Sequence, residues 1–97
     1  MDIEYGSFIW DSKKEIINLW KHGIDFKRAS EVFMDPFRKI IDDFDHSGRE
    51  RRFYCIGMVG SDIVTVRFVR REDKIRIFGA GQWRKGREIY ESTRFGL

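Results

Sequence analysis

The hydrophobic pattern of this chain changes its period once, at Pro36, which is its only proline. Before Pro36 the apolar residues recur at helical spacing. After it they gather into short runs rich in β-branched and aromatic residues, which is typical of strands. The chain has 97 residues, enough for one domain with one core. Helices followed by strands within one domain predict an α+β fold.

The segment before Pro36 predicts two helices. A helix at residues 11–22 can begin at Asp11 or Ser12, whose side chains accept hydrogen bonds from the first turn, and Gly23 is a natural stop. Four apolar residues of this helix form the stripe expected to face the core, namely Ile16, Ile17, Leu19 and Trp20. A second, short helix is expected at residues 25–33, where apolar side chains share one face.

The segment after Pro36 predicts a three- or four-stranded antiparallel sheet followed by a helix. Strands are expected at residues 52–59, 63–69 and 74–79, joined by connections of hairpin length. The closing helix is expected at residues 83–90, although Gly86 within it costs roughly 1 kcal/mol relative to alanine. The predicted architecture is a small α+β domain over residues 1–97, with two N-terminal helices, the sheet and a C-terminal helix.

Alternation along the middle strand separates its two faces. Three apolar residues share the face expected to line the core, namely Val64, Val66 and Phe68, and Arg67 lies on the opposite face. If the following turn is centred between Arg71 and Glu72, Arg67 lies directly across from Arg76. Like charges in such a pair repel, so an anion bound between them would account for the arrangement. A register shift of two residues would separate them and leave two ordinary surface arginines.

The charge of the chain is divided between its halves. Residues 1–48 hold seven Lys/Arg against ten Asp/Glu, whereas residues 49–97 hold twelve against six. A basic half points to a polyanionic partner, with nucleic acid first, although a solvated charged face needs no partner. Trp83 beside Arg84 and Lys85 combines a ring that can stack on unpaired bases with cations for phosphates, unless Trp83 packs in the core.

Several classes of site find no support in the sequence. No GxxxxGK[ST], GxGxxG or CxxC motif occurs, so a nucleotide-binding loop and a thiolate zinc site are not indicated. The two histidines, His22 and His46, need carboxylates such as those of the AspPheAspHis run at 43–46 to bind zinc, and we expect neither metal nor cofactor. The single cysteine, Cys55, reads as a small buried hydrophobe. With no membrane-length apolar run and no secretory signal, we expect a cytoplasmic protein.

Short motifs occur in a fixed order along nearly the whole chain. They are PheIleTrpAsp at 8–11, LysHisGlyIleAspPhe at 21–26, AspHis at 45–46, GluArgArgPhe at 50–53 and IleArgIle at 75–77. In this order and spacing the motifs resemble the BrnT family of toxins. The chain departs from many members at 78–81, where it reads PheGlyAlaGly in place of IleSerAlaArg. The arginine lost there is expected to be replaced by the cations next to Trp83.

The resemblance implies a toxin of a type II toxin–antitoxin system with a fold like the RelE ribonucleases. Such a protein is a metal-independent endoribonuclease that cleaves RNA and arrests translation and growth. The reaction is attack of a ribose 2′-hydroxyl on the adjacent phosphate, which needs a base, an acid and cations for the developing charge. The candidate catalytic residues are Lys21, His22, Glu50, Arg71 and Arg76. The first three are alternative bases and the two arginines stabilise charge. The candidate RNA-binding residues are Trp10, Arg67, Trp83, Arg84 and Lys85.

The resemblance also implies a partner, a small ribbon-helix-helix antitoxin like BrnA, with DNA reached only through the toxin–antitoxin complex and no contact with a membrane. We expect an acidic and apolar segment of this antitoxin to cover Arg71, Arg76 and residues 83–87. From the residues alone two other functions stay open. One is a non-catalytic RNA- or DNA-binding module, and the other is a protein whose basic face docks an acidic peptide.

Overall fold

The computed structural model describes residues 1–96, which form six strands and three α-helices. The strands are β1 (Asp2–Tyr5), β2 (Phe8–Asp11), β3 (Lys39–Asp42), β4 (Arg52–Val59), β5 (Asp62–Arg71) and β6 (Lys74–Gly81). The helices are α1 (Ser12–His22), α2 (Phe26–Ala29) and α3 (Arg84–Phe95), with 3₁₀ helices at Ser30–Met34 and Phe44–His46. None of the helices in this part of the chain is both long and apolar enough to cross a membrane.

All six strands belong to one mixed sheet with the order β1-β2-β6-β5-β4-β3. Neighbouring strands are antiparallel except β2 and β6, which are parallel. The α+β class is confirmed, whereas the predicted three- or four-stranded antiparallel sheet is wrong. The three central strands β4, β5 and β6 lie where the sequence predicts them, but β1, β2 and β3 are additional. Each of these has only four residues, and β2 pairs with a strand more than sixty residues away, so no local hairpin pattern reveals it.

The register between β5 and β6 differs from the predicted one. Arg71 pairs with Lys74 across a two-residue turn, in which Glu72 has a positive φ of 57°. This moves the register by two residues, and Arg76 lies across from Val69. An irregularity then follows in β6, which places Gly79 across from Arg67. The predicted pairing of Arg67 with Arg76 is therefore wrong, and no anion is needed between them.

The main core lies on one face of the sheet, here called the first face. As predicted, Val64, Val66 and Phe68 of β5 are buried there. Helix α2 and the 3₁₀ helix after it supply the residues that cover this face, namely Phe26, Ala29 and Val32. The 3₁₀ helix lies very close to β4, because a Cβ added to Gly57 would be 2.8 Å from the carbonyl oxygen of Val32. A glycine is therefore required where the sheet meets this helix.

Helix α1 has the predicted boundaries, but the face that was expected to be buried is exposed. Asp11 caps it by accepting from the backbone N–H of Lys14 at 3.1 Å, and Gly23 ends it with φ 72°. The buried residue is Asn18, whose amide accepts from the N–H of Ala80 at 3.1 Å and donates to its carbonyl at 2.9 Å. The apolar stripe of Ile16, Ile17, Leu19 and Trp20 points to solvent, with side chains 47–88% exposed. The predicted core role of this stripe is wrong. The face of α1 that meets the sheet is the one with Asn18, because this side chain bonds to the backbone of Ala80 near the end of β6.

The other two predicted helices have different lengths from those expected. Regular α-helix in the 25–33 segment covers only four residues before the 3₁₀ helix begins. Helix α3 continues to Phe95, five residues beyond the predicted end. It packs on the face of the sheet opposite the main core, here called the second face, and a Cβ on Gly86 would lie 2.0 Å from Oγ1 of Thr65. Gly86 thus allows α3 to approach β5 closely, which offsets its low helix propensity.

Candidate functional site

An open groove of about 720 Å³ lies on the second face, between α3 and the segment that runs from β3 to β4. A groove of this size is typical of ligand sites. Eight titratable side chains line it, namely His22, Asp42, Asp43, Asp45, His46, Tyr54, Arg67 and Lys85. Both histidines of the chain are therefore in this one groove. Trp83 completes the wall and packs edge-on against His22, with 5.3 Å between the ring centroids.

Two cations of the groove have no carboxylate partner. Arg67 and Lys85 make no ion pair within residues 1–96. Arg67 is half-buried, with its guanidinium 5.0 Å from the centroid of the Phe78 ring, and the cross-strand neighbour of Arg67 is Tyr54. The groove therefore holds two cations without an ion-pair partner beside three aspartates, of which Asp42 pairs with Arg51 and Asp43 with His46. The two cations can bind an anionic ligand.

The wall opposite α3 carries an aspartate–histidine pair. The carboxylate of Asp43 is 7% exposed and lies 2.9 and 3.0 Å from Nδ1 of His46. Burial opposes ionisation of Asp43, but hydrogen bonds from His46 and Tyr54 outweigh it, so the pKa of Asp43 is below its ordinary value. Burial and the same carboxylate raise the pKa of Tyr54. Asp43 is therefore an ionised carboxylate that holds the neighbouring ring.

A second group of charges, here called the ion-pair cluster, lies on the same face outside the groove. It consists of Asp2, Glu50, Arg71 and Arg76. Arg71 donates from Nε and Nη2 to both carboxylate oxygens of Glu50 at 2.8 Å, and Arg76 donates to Asp2 at 2.7 and 3.1 Å. Hydrogen bonds from Arg71 hold the pKa of Glu50 below its ordinary value. Both carboxylates thus neutralise arginines that the sequence assigned to the reaction.

An arginine–aromatic stack joins the groove to the ion-pair cluster. The guanidinium groups of Arg52 and Arg67 each lie 5.0 Å from the centroid of the Phe78 ring. The charge of Arg52 also contributes to the lowered pKa of Glu50, as does that of Arg76. The second face therefore carries a row of arginines that runs from Arg67 in the groove through Arg52 to the ion-paired Arg71 and Arg76.

The structure brings some of the sequence-predicted site residues together and separates others. The groove contains His22, Arg67, Trp83 and Lys85, and the ion-pair cluster contains Glu50, Arg71 and Arg76. Three predicted residues lie in neither place. Trp10 is 2% exposed in the main core, where its ring is not available to stack on a base. Lys21 is exposed on α1 outside the groove, and Arg84 lines a separate cleft with Asp62.

The predicted site lacks five titratable side chains of the groove, namely Asp42, Asp43, Asp45, His46 and Tyr54. The sequence indicates the run at 43–46 only as a possible source of metal ligands and, at 45–46, as one of the BrnT motifs. Within residues 1–96, no three His, Cys, Asp or Glu side chains are placed to hold one ion. The signal for a different role was the three-residue spacing of Asp43 and His46, which puts both on one side of a helical turn. Burial raises the pKa of the Cys55 thiol to about 12, which makes it inert as a nucleophile.

Comparison with known proteins agrees with the motif series. No curated protein matches the sequence. A protein-family model described as "Ribonuclease toxin, BrnT, of type II toxin-antitoxin system" matches residues 10–86. The matched region begins in β2, ends in the first turn of α3 and includes every polar residue of the groove named above. The chain therefore belongs to the BrnT family, the ribonuclease toxins of type II toxin–antitoxin systems.

Proposed function

We propose that the groove on the second face is where this ribonuclease toxin cleaves RNA, by attack of a ribose 2′-hydroxyl on the adjacent phosphate. The observation that carries the proposal is the meeting of unpaired cations with both histidines in one groove. Arg67 and Lys85 bind the phosphate and stabilise the phosphorane, and Trp83 stacks on a base. His22 takes part in proton transfer, which is the ordinary chemistry of a histidine near neutral pH.

The other predicted catalytic residues take supporting roles in this proposal. Glu50 is a poor base, because both of its oxygens bind Arg71 and its pKa is lowered. Arg71 and Arg76 hold phosphates of the RNA outside the groove, where the chain continues along the Arg52–Phe78–Arg67 stack. Lys21 and Arg84 lie outside the groove and add to the attraction of the polyanion without touching the reacting atoms. The acid–base mechanism requires no metal.

The test compares an RNA oligonucleotide that spans a mapped cleavage site with the same oligonucleotide carrying one 2′-deoxy nucleotide immediately 5′ of the cut. We expect the all-ribose substrate to yield a 2′,3′-cyclic phosphate in the presence of EDTA and the 2′-deoxy substrate to remain intact. The cleavage products are resolved by mass spectrometry. Equal cleavage of both substrates, or activity that EDTA abolishes and Mg²⁺ restores, would contradict the proposed mechanism.

We also propose the cellular setting that the family implies. Expression of the chain without its partner halts translation and growth in the cytoplasm because the groove degrades RNA. The partner is an antitoxin, which family membership requires, and we propose that it is a ribbon-helix-helix protein through which the complex reaches DNA. A ribonuclease with a fold like RelE is consistent with the small α+β architecture.

The outward stripe of α1 is the proposed anchor for this antitoxin. The stripe exposes four large apolar side chains, and Trp20 is 88% exposed, which is costly for a helix that stays in water. Lys13, Lys14 and Lys21 surround the stripe, and the only acidic residue of the helix, Glu15, points inward to accept from the N–H of Phe26. An apolar segment flanked by acidic residues is complementary to this surface. His22 at the end of α1 lines the groove, so a segment bound along α1 can continue over the site.

Replacing Trp20 by serine is expected to weaken antitoxin binding about thirtyfold or more while RNA cleavage stays unchanged, because exposed aromatic anchors dominate such interfaces. The Kd for the purified cognate antitoxin is measured by calorimetry. Met34→Ser is the matched control, because Met34 is also an exposed apolar residue, at 82%, but lies away from α1. An unchanged Kd for the Trp20 variant, or an equal loss in the Met34 variant, would rule out α1 as the anchor.

A further inference from the structure

We propose that His46, oriented by Asp43, is the second proton-transfer residue of the groove and acts as the partner of His22. This inference rests on the proposed function, because it assigns a residue to the reaction placed in that groove. Cleavage through a 2′-hydroxyl needs two proton transfers, one from the nucleophile and one to the leaving oxygen. His22 alone supplies one of them in each turnover. Both histidines of the chain line this groove, so it also contains a second side chain that can transfer a proton.

The geometry of the pair determines which nitrogen of His46 is free. Asp43 carries a lowered pKa and is ionised, so its oxygens only accept hydrogen bonds. Nδ1 of His46 therefore carries the proton in the bond to Asp43, and Nε2 is the nitrogen left for the ligand. Within residues 1–96 this Nε2 has no hydrogen-bond partner. The ring is 61% exposed on its side of the groove, whereas the carboxylate behind it is buried.

The backbone around the pair is held firmly to β4. The N–H of Asp43 donates to the carbonyl of Arg52 at 2.8 Å. The hydroxyl of Ser47 donates to the carbonyl of Asp43 at 2.8 Å and accepts from the N–H of Arg52 at 2.9 Å. Asp43 precedes the 3₁₀ helix Phe44–His46 but makes no side-chain capping bond to it. Its carboxylate is therefore committed to His46 and Tyr54, and the main-chain contacts keep the turn in place without it.

The proposed reaction balances its protons and bonds. One histidine, neutral at the start, takes the proton of the 2′-hydroxyl as the bond from O2′ to phosphorus forms. The other, protonated at the start, gives its proton to O5′ as the bond from phosphorus to O5′ breaks. The products are a 2′,3′-cyclic phosphate and a free 5′-hydroxyl, and exchange with water restores both histidines. Arg67 and Lys85 stabilise the phosphorane between the two rings, and Asp43 holds His46 in the productive orientation.

The test uses two variants, His46→Ala and His22→Ala, and two RNA substrates. With ordinary RNA each variant is expected to lose on the order of 10²–10⁴ in kcat. The second substrate has sulfur in place of the 5′-bridging oxygen at the cut. A thiolate leaves without a proton, so the loss should be relieved for only one of the two variants, the one that lacks the acid. Relief in both variants or in neither would overturn the pairing of roles.

Further measurements separate proton transfer from a structural role. Added imidazole is expected to restore part of the activity of His46→Ala, because it enters the space left by the ring. Asp43→Asn should lower kcat by about tenfold or more with KM little changed, since it affects the orientation of His46 and not RNA binding. Asp45→Asn is the comparison variant, because it removes another carboxylate that lines the groove but makes no hydrogen bond to Nδ1 of His46. A loss in Asp43→Asn that exceeds the effect of Asp45→Asn then reports the orientation of His46 and not the charge of the groove. Unfolding curves of all variants show whether any loss of activity reflects loss of fold.

Failure of this inference and failure of the proposed function give different results. If wild-type protein cleaves only substrates with the 2′-hydroxyl but His46→Ala cleaves at the same rate, the groove is the site and the assignment of His46 is wrong. If wild-type protein cleaves the 2′-deoxy substrate equally well, the proposed chemistry itself is wrong. A His46→Ala protein that is folded, inactive and not rescued by imidazole would also contradict a proton-transfer role.

Discussion

Replacing Arg67 by alanine is expected to lower kcat for RNA cleavage by on the order of 10²–10³, the usual effect of removing one preorganised donor for transition-state charge. Arg67 is suited to this role because it lies in the groove, makes no ion pair within residues 1–96 and is held by the ring of Phe78. Arg67→Lys should recover part of the rate, because the charge remains but the fork of donors is lost. Single-turnover cleavage at saturating protein measures the effect.

The matched control for Arg67 is Arg70→Ala. Arg70 belongs to the same strand but lies on the first face, where its guanidinium is 5.6 Å from the ring centroid of Phe53. Arg70 carries the same charge as Arg67 but is exposed and lies outside the groove. Its loss should therefore change the single-turnover rate less than about twofold. If both variants lose rate to the same extent, general attraction of RNA and not a site in the groove accounts for the effect of Arg67.

Replacing Asp35 by alanine is expected to lower the free energy of unfolding by about 3–5 kcal/mol, because a buried hydroxyl and two backbone N–H groups lose their acceptor. Asp35 accepts from the N–H groups of Met58 and Phe37, both at 2.8 Å, and from the hydroxyl of Tyr90, which is completely buried. These bonds join the end of the 3₁₀ helix Ser30–Met34 to β4 and α3. Urea unfolding measures the loss, and Tyr90→Phe, which removes one of the three bonds, should cost about 1–2 kcal/mol.

Acid should reduce the difference between wild type and Asp35→Asn. Burial opposes ionisation of Asp35, but hydrogen bonds from Tyr90, Met58 and Phe37 outweigh it and lower its pKa. A carboxyl group whose pKa is lower in the folded state contributes its full stability above the unfolded pKa of about 3.9 and loses it as the pH falls through the folded value. The stability gap measured by urea unfolding should therefore be constant from pH 7 to 5 and shrink below pH 4. A gap that stayed constant to pH 3 would contradict this account.

Local features of the fold could be read from the sequence because their causes lie within a few residues. The capping of α1 by Asp11 and its end at Gly23 are set by neighbouring backbone groups, and both are confirmed. The boundaries of β4 were predicted to the residue, and alternation placed Val64 and Arg67 on the correct faces of β5. The series of BrnT motifs is also local, and the family match over residues 10–86 confirms it.

Some residues of the site could be predicted from the sequence, whereas others were recognised only in the tertiary structure. His22, Arg67, Trp83 and Lys85 were predicted from charge, aromatic content and motif, and the fold brings all four to one groove. His46 and Asp43 were visible in the sequence, but their hydrogen bond became evident only when the turn at Phe44–His46 was placed against β4. A histidine in a sequence does not reveal which carboxylate holds it, because that partner is selected by tertiary packing.

Other features were decided only by contacts between distant parts of the chain. The neutralisation of Arg76 depends on Asp2, 74 residues away, and that of Arg71 on Glu50. The apolar stripe of α1 faces solvent because Asn18 bonds to backbone groups of Ala80, which no helical pattern can foresee. The sequence by itself determined the bounds of α1 and β4, the two faces of β5 and the family, since capping, propensity and alternation act over a few residues. The tertiary structure decided which charges are paired and which stay unpaired, because ion pairs and burial depend on residues that only folding brings together.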